Sequence, residues 1–404
     1  MSELFVGIDV SKRFFDVCVK DLRNNPVLPH KRYEQSQKGF EALDKDLEPL
    51  RKLAKNRVTV GMESTGIYHL NLYEHLHKNG IYPHIINPIE IKSRAKSRIR
   101  KTRTDKIDAS IIAEKLITDA RPEQQYRLND ATHSLREECR ILFRLKKMIR
   151  LMKIEANRDL NILCPGYDKH FKNCLTPASR AIVKLAFRKT RYLDVSEEDI
   201  HETLESYHID KSRVPKKARI LHELFSNTVT PRHLKDPILT DLHMIIARYE
   251  LVHSQMKRME KRIARQFEQM DSKITSIPGI STYTGAIIVG EIGDITRFNS
   301  AKQLVAFAGL DPTIKESGES RKLGRISKRG SPILREALYQ ASFASTIHNP
   351  VCSQYYHRLK ARGKHHNICI IAVARKLSHI VYSVLKNDVD FYIPTHINLE
   401  NTSD

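Results

Sequence analysis

Four carboxylates in this chain are mounted where they could do chemistry on a phosphate. Asp9 follows the apolar run Phe5-Val6-Gly7-Ile8, and Glu63 follows Val58-Thr59-Val60-Gly61-Met62. Each run reads as a buried strand that delivers an acid at its tip. Asp105 and Asp108 open the stretch Thr104 to Leu116, whose apolar residues recur at helical spacing. Three residues apart, the two acids share a helix face. Carboxylates suit hard divalent cations, which take oxygen ligands and assist phosphodiester cleavage. Taken singly, each acid also reads as a turn former or as a charge at a helix N-terminus. As a set, regularly placed in a basic chain, they point to a metal site.

Stepping from strand to strand, the first 125 residues read as α/β. Leu4–Ile8 and Phe14–Val19 make a hairpin, Val58–Met62 and Tyr82–Ile86 are further strands, and Leu70–His77 is a helix. Before the acidic helix runs a basic stretch: Lys92, Arg94, Lys96, Arg98, Arg100, Lys101 and Arg103. It is either a solvated helix face or a strip that brings a phosphate backbone to the acids.

The whole chain supports a nucleic-acid partner. Its 404 residues hold 69 Lys and Arg against 47 Asp and Glu, a formal net charge of +22. Such an excess serves a polyanion, most often nucleic acid. No uninterrupted apolar run of spanning length or signal peptide stands out, so no membrane partner is expected. The six cysteines (Cys18, Cys139, Cys164, Cys174, Cys352 and Cys369) form no C-x-x-C pair. They read as reduced packing thiols of a cytoplasmic protein, with neither a disulfide frame nor a zinc site.

Residues 130–270 read as all-α. Leu135, Cys139, Leu142, Leu145, Ile149, Met152, Ala156, Leu160 and Leu163 recur at steps of three or four until Cys164-Pro165-Gly166 stops them. A second stripe runs from Leu239 to Phe267. Both predict long helices that pair, within or between chains, as a coiled coil or on a shared core. Between them a basic insertion, about 165–235, has no clear period and reads as a helical insertion or a nucleic-acid contact.

Residues 273–390 open on Ile277-Pro-Gly-Ile280, a turn between two short apolar segments that is like a helix-hairpin-helix, which offers backbone N–H groups to phosphate. An apolar helix within Phe298–Pro312 follows. Then comes a polar loop, Lys315 to Gly330, crowded with Lys315, Arg321, Lys322, Arg325, Lys328 and Arg329. It reads as a phosphate-contacting loop with Ser317, Ser320 and Ser327 as possible nucleophiles, no one of them singled out by its chemistry. Residues 391–404 are a tail.

Several segments in this order together carry a resemblance: Gly7-Ile-Asp-Val-Ser-Lys12, Glu63-Ser-Thr-Gly-Ile-Tyr68, Asn87-Pro88, Arg103-Thr-Asp-Lys-Ile-Asp-Ala109, Ile277-Pro-Gly-Ile280, Ala306-Phe-Ala-Gly-Leu-Asp-Pro312, Ser317-Gly318 and Arg325-Ile-Ser-Lys-Arg-Gly330. The chain resembles the DEDD transposases of the insertion-sequence 110 family, including its 1111 subgroup, over roughly two-thirds of its length. The insertion at about 165–235 departs from shorter members. The resemblance implies an N-terminal ribonuclease H-like (RuvC-like) domain, a long helical coiled coil and a mainly helical C-terminal transposase domain. It implies that Asp9, Glu63, Asp105 and Asp108 hold Mg²⁺ and that Ser317 is a nucleophile forming a phosphoserine link to DNA. It further implies a structured non-coding guide RNA, element-end and target DNA, and dimers that pair into tetramers on DNA at the bacterial nucleoid. The alternative from the acids alone is a RuvC-like, structure-specific DNA nuclease with water as nucleophile. An actin-like ATPase shares the Gly-Ile-Asp strand but needs a second Gly-rich phosphate loop, which does not stand out here. A purely binding protein would use the acids only as caps.

Overall fold

The structure is a computed structural model that describes residues 3–55, 57–63, 67–86, 91, 105–118, 130–188, 190–207, 210–317 and 320–393. At 105–107, 130, 314–317 and 320–323 the description is of backbone alone. The chain divides into two units, Met1–Asn129 and Asp130–Asp404. The first is α/β and the second is mainly helical.

The first unit is built on a five-stranded mixed sheet. Its strands are β1 (Leu4–Val10), β2 (Phe14–Asp21), β3 (Pro26–Glu34), β4 (Val58–Glu63) and β5 (His84–Ile86), in the order β3-β2-β1-β4-β5. The expected hairpin of the first two strands is present, since β1 and β2 pair antiparallel. β1 and β4 are parallel, as are β4 and β5. Alternation along the central strands sends Val6, Ile8, Val10, Phe15, Val17 and Val19 to one face. There they pack in one core with Phe40, Leu43 and Leu47 of α1 (Gln37–Leu53) and Leu72 and Leu76 of α2 (His69–Lys78). The opposite face carries Gly7, Asp9, Asp16, Cys18 and Lys20, and α3 (Asp105–Thr118) lies on it. β5 is shorter than the Tyr82–Ile86 expected, and β3 and α1 are elements the sequence pattern did not announce.

The second unit contains two long helices, α4 (Asp130–Leu163) and α9 (Arg232–Glu268), that pack along one another. Their sense is antiparallel, because Arg262 Nε meets Glu138 at 2.6 Å near one end while Arg158 Nη2 meets Asp241 at 3.3 Å near the other. Gly166, at φ 93, turns the chain out of α4 just after the Pro165 stop. The insertion is helical: α5 (Tyr167–His170), α6 (Pro177–Ala186), α7 (Glu197–Glu205) and α8 (Val214–Ser226). Tyr167, Phe187, Leu221 and Phe225 share a core with Leu160, Leu239 and Leu242 of the long helices, so the insertion forms a head at one end of the pair. Cys164 and Cys174 are packing residues of that core.

The rest of the unit surrounds another core. After the short 3-10 turn Lys273–Ser276 come α10 (Thr282–Ile292), α11 (Ala301–Phe307), the hairpin strands β6 (Pro312–Ser317) and β7 (Ser320–Ile326), then α12 (Pro332–His348), α13 (Pro350–Ala361) and α14 (His366–Asn387). The Pro-Gly turn packs inward: a Cβ on Gly279, at φ 97, would stand 2.4 Å from Ser345 Oγ, and that hydroxyl donates to Pro278 O. One helix, α14, is in fact long and apolar enough to cross a membrane by length and composition. Its Cys369, Ile370, Val373, Leu377, Val381 and Val384 are buried in the core instead, which accounts for its apolar face.

Candidate active site

Asp9 and Glu63 stand level with each other. The parallel register pairs Gly7 with Gly61 and Ile8 with Met62, and the two acids are the next residues on their strands. Adjacent strands lie about 4.8 Å apart, so the two half-buried carboxylates leave the same sheet end side by side. Lys12 and Arg13 are exposed in the turn just beyond Asp9.

The approach of α3 to the sheet fixes where its acids lie. A Cβ on Gly7 would stand 2.1 Å from Ala109 O and 2.5 Å from Ala113 N. Only glycine lets the helix backbone come this close. Glu114 reaches Lys20 at 2.6 Å, and Lys20 is paired with Phe5. Ser110 hydrogen-bonds the Cys18 thiol, and Cys18 is paired with Gly7. Going back four residues along the helix, about 6 Å, therefore advances two residues along β1, about 6.6 Å. Another step of the same size places the first turn of α3, with Asp105 and Asp108, at the level of Asp9. The backbone of that turn thus lies toward the sheet end from which Asp9 and Glu63 leave. The positive end of the α3 dipole points to the same place and favours anionic groups there.

Every donor in this set is a carboxylate, which fits a hard divalent cation and not a thiophilic one. Among the described residues no group of three or more acids, imidazoles or thiols is gathered closely enough to hold an ion as it stands. The Asp105 side chain is not part of that description.

A further acid was missed. Asp16 is the cross-strand partner of Asp9, on the same face, and its side chain is 3% exposed. Arg32 on β3 donates to it through Nε and Nη2, both at 3.1 Å, and His30 Nε2 lies 2.6 Å away. The Arg32 guanidinium also lies over the Phe14 ring. A row Arg32–Asp16–Asp9–Glu63 therefore crosses four strands on one face of the sheet.

Residues Lys315 to Ile326, expected as a loop, belong to an antiparallel hairpin. Backbone pairing runs from Pro312 with Ile326 to Ser317 with Ser320, so Ser317 ends β6 opposite the first residue of β7. The base of the hairpin is locked. Gly330 sits where a Cβ would be 1.9 Å from Phe307 O, and Ser327 Oγ donates to Asp311 at 2.6 Å. That bond engages Ser327 structurally. Arg325 is exposed near the end of β7, and Lys328 and Arg329 follow it. The side chains of Lys315, Ser317, Ser320, Arg321 and Lys322 lie outside the described residues, as does the whole basic stretch Lys92, Arg94, Lys96, Arg98, Arg100, Lys101 and Arg103.

Beneath the hairpin lies a buried ion cluster that the sequence pattern also hid. Glu291 of α10 has a side chain with no exposure, yet it accepts from Arg140 Nε at 2.8 Å and from Ser331 Oγ at 2.8 Å. Burial alone would raise its pKa. The bonds and charges of Arg140, Arg136 and Ser331 outweigh burial and hold it below the ordinary carboxylate value. Ser331 in turn caps α12 by accepting from Leu334 N. The cluster ties α4 and α10 to the residue that follows the hairpin.

Comparison with known proteins meets this geometry from the other side. Residues 6–165 match the DEDD transposase family of the IS110 type, and residues 271–357 match the family described as "Transposase IS116/IS110/IS902 family", between them more than half the chain. The "Pilin gene-inverting protein" of Moraxella bovis is 26% identical over 397 residues, 97% of this chain and 98% of that protein. The "Insertion element IS110 uncharacterized 43.6 kDa protein" of Streptomyces coelicolor is 33% identical over 143 residues, 35% of each chain. The "Transposase for insertion sequence element IS1111A" of Coxiella burnetii is 32% identical over 129 residues, 31% of this chain and 35% of that one. With its paired strand-end acids, its acidic helix and both family segments in order, the chain belongs to the IS110 family of DEDD transposases.

Proposed function

We propose that this transposase is a metal-dependent DNA recombinase that cuts and rejoins strands through a serine-linked intermediate, guided by a structured non-coding RNA of its own element. The observation that carries this reading is the convergence of Asp9, Glu63 and the first turn of α3 at one end of the sheet. The N-terminal unit is read as ribonuclease H-like, of the RuvC type. Asp9, Glu63, Asp105 and Asp108 would hold Mg²⁺, which when bound polarises a phosphate and offsets charge on a departing oxygen.

Ser317 is the nucleophile in this reading. Its Oγ bonds to phosphorus as the bond from phosphorus to the sugar oxygen breaks. The serine proton passes to solvent, and the sugar leaves as a free hydroxyl end. Attack by a sugar hydroxyl on the phosphoserine reverses the step and frees the serine, so rejoining needs no nucleotide. Arg325, Lys328 and Arg329, with Lys315, Arg321 and Lys322, would balance charge on the transferring phosphoryl group. The stretch Lys92 to Arg103 would carry the DNA backbone. Pairs of dimers on DNA would bring the serine of one subunit to the acids of another, so that cutting waits for assembly. The name of the Moraxella bovis relative describes inversion of a gene. Inversion requires rejoining as well as cutting, which supports a recombinase over a nuclease that only cuts.

The test is covalent trapping. Protein, Mg²⁺, the element's flanking non-coding RNA and a circular-junction DNA are mixed, quenched in denaturant and resolved for protein-linked DNA. The linked species is expected with wild type and lost in Ser317→Ala. Asp9→Asn should slow its formation on the order of 10⁴-fold, the scale of losing one member of a catalytic unit. Cleaved but unlinked DNA that persists in Ser317→Ala would instead establish a water-using RuvC-like nuclease.

A further inference from the structure

Residues 337–387 contain no Asp or Glu, in a chain that carries 47 of them. This segment spans most of α12, all of α13 and all of α14. Within it lie Arg358, Lys360, Arg362 and Lys364 at the α13–α14 corner, and Arg375 and Lys376 along α14. All but Lys376 are exposed, and Lys376 is half-exposed. Elsewhere in the unit cations meet acids: Arg140 with Glu291, Lys146 with Glu260, Arg262 with Glu138 and Arg219 with Glu223. Among the described residues, none of these six has a carboxylate partner.

The cations are also gathered in space. The Arg358 guanidinium of α13 and Lys376 Nζ of α14 lie 5.2 and 5.4 Å from the centre of one ring, Tyr355. His379, one turn on from Arg375, is exposed on the same helix. Its pKa is lowered, first by burial and then by Arg375, Lys302 and Lys376, so Lys302 of α11 belongs to the group as well. Three helices thus bring like charges together, and among the described residues no carboxylate pairs with Arg358, Arg375 or Lys376. That arrangement costs folding free energy and is relieved only when an outside anion arrives.

We propose that this α11–α13–α14 face is a docking surface for the phosphate backbone of duplex DNA, built from residues other than the acids and the hairpin. The proposal rests on the family reading, in which the protein acts on DNA, but not on Ser317 or on any metal. Two features choose the backbone of a duplex. The Tyr355 ring is flanked by two cations and so offers no free platform for stacking an unpaired base. Arg358, Arg375 and Lys376 stand on packed helices that hold them in place, which suits a stiff double helix more than a flexible single strand. The same placement accounts for the composition of α14, whose inward residues fill the core while Arg375, Lys376 and His379 mark its outward side.

The experiment measures binding of the full chain, without metal, to a duplex of random sequence and to an RNA hairpin, across a salt series. The triple variant Arg358→Gln, Arg375→Gln and Lys376→Gln is compared with wild type. Each lost contact should lower the slope of log K on log salt by about 0.9, so about 2.7 for three. The melting temperature should stay the same or rise, since repulsion is removed. A control triple at cations paired with acids, Lys52→Gln, Lys184→Gln and Arg219→Gln, should leave the slope near that of wild type. An unchanged slope in the first variant, a loss matched by the control, or a loss on RNA with none on duplex would overturn the proposal. Because no cleavage is read, failure of the serine chemistry would leave this result untouched.

Discussion

Asp16 lies directly across from Asp9 on the neighbouring strand, and two carboxylates so placed repel each other. Arg32 and His30 hold Asp16 on its far side and give that charge somewhere to go. Taking away the acid leaves Arg32, about half of it exposed, to be solvated by water. Asp16→Ala should cost about 1.5–3 kcal/mol of stability, the range for lost hydrogen bonds to a charged group. Asp16→Asn should fold, yet slow strand cleavage by about 10²-fold, the scale of a slight misplacement at a reacting centre. Urea melts and single-turnover cleavage of both variants separate the two effects, and an Asp16→Asn protein with wild-type cleavage would sink the positioning role. Asp9 and Glu63 were legible in the sequence because each ends an apolar run. Asp16 was not, because it sits inside one, Phe14-Phe-Asp-Val-Cys18, and its partners come from a strand joined with a bulge. Glu291 hid for a similar reason: the Arg140 that neutralises it is 151 residues away along the chain.

Among the elements, the hairpin β6–β7 and the edge strand β3 explain what pattern reading loses. β3 carries Pro26 and Pro29 and is mostly exposed, so no alternation marks it. Proline is tolerated there because the strand stands at the sheet edge. The hairpin is dense in charge, so no apolar alternation marks its strands in the sequence. Its register is set by backbone pairing and by the locked base at Gly309, Gly330 and Ser327. The long helices were legible because periods of three and four repeat over many turns, and the Pro165-Gly166 stop fell where α4 ends. The Glu291 cluster gives the element scale its own prediction. A carboxyl held below its unfolded value, about 4.3, contributes stability that is fully present above that value. The contribution is lost as pH falls through the lower folded value. Glu291→Gln should therefore cost about 3–5 kcal/mol at pH 7, with the gap to wild type closing as pH drops below about 4. Denaturant titrations at neutral and acid pH check this, and an equal gap at both would contradict it.

At the scale of the molecule, each core draws on residues of a single unit. The two cores of residues 1–129 and the two of residues 130–404 share no member. A fragment of residues 130–404 should thus melt cooperatively within a few degrees of its transition in the full chain, and it should bind duplex DNA without nicking it. Calorimetry of the fragment decides the first point, and a broad, non-cooperative melt would show that the division is only geometric. The α/β and helical characters of the two units were readable from period alone, whereas the fold of the insertion was not, since its four short helices each offer too few turns for a period to emerge. How that insertion is attached has a last consequence. Thr230 Oγ1 donates to Leu163 O at 2.7 Å, and Tyr192 OH donates to the same oxygen at 2.8 Å. The chain therefore leaves the helix pair and returns to it at one point, like a cassette in a slot. Its contents can be lengthened, trimmed or exchanged for a reporter domain without altering the register of the helices that carry it, provided that the replacement covers Leu160, Leu239 and Leu242.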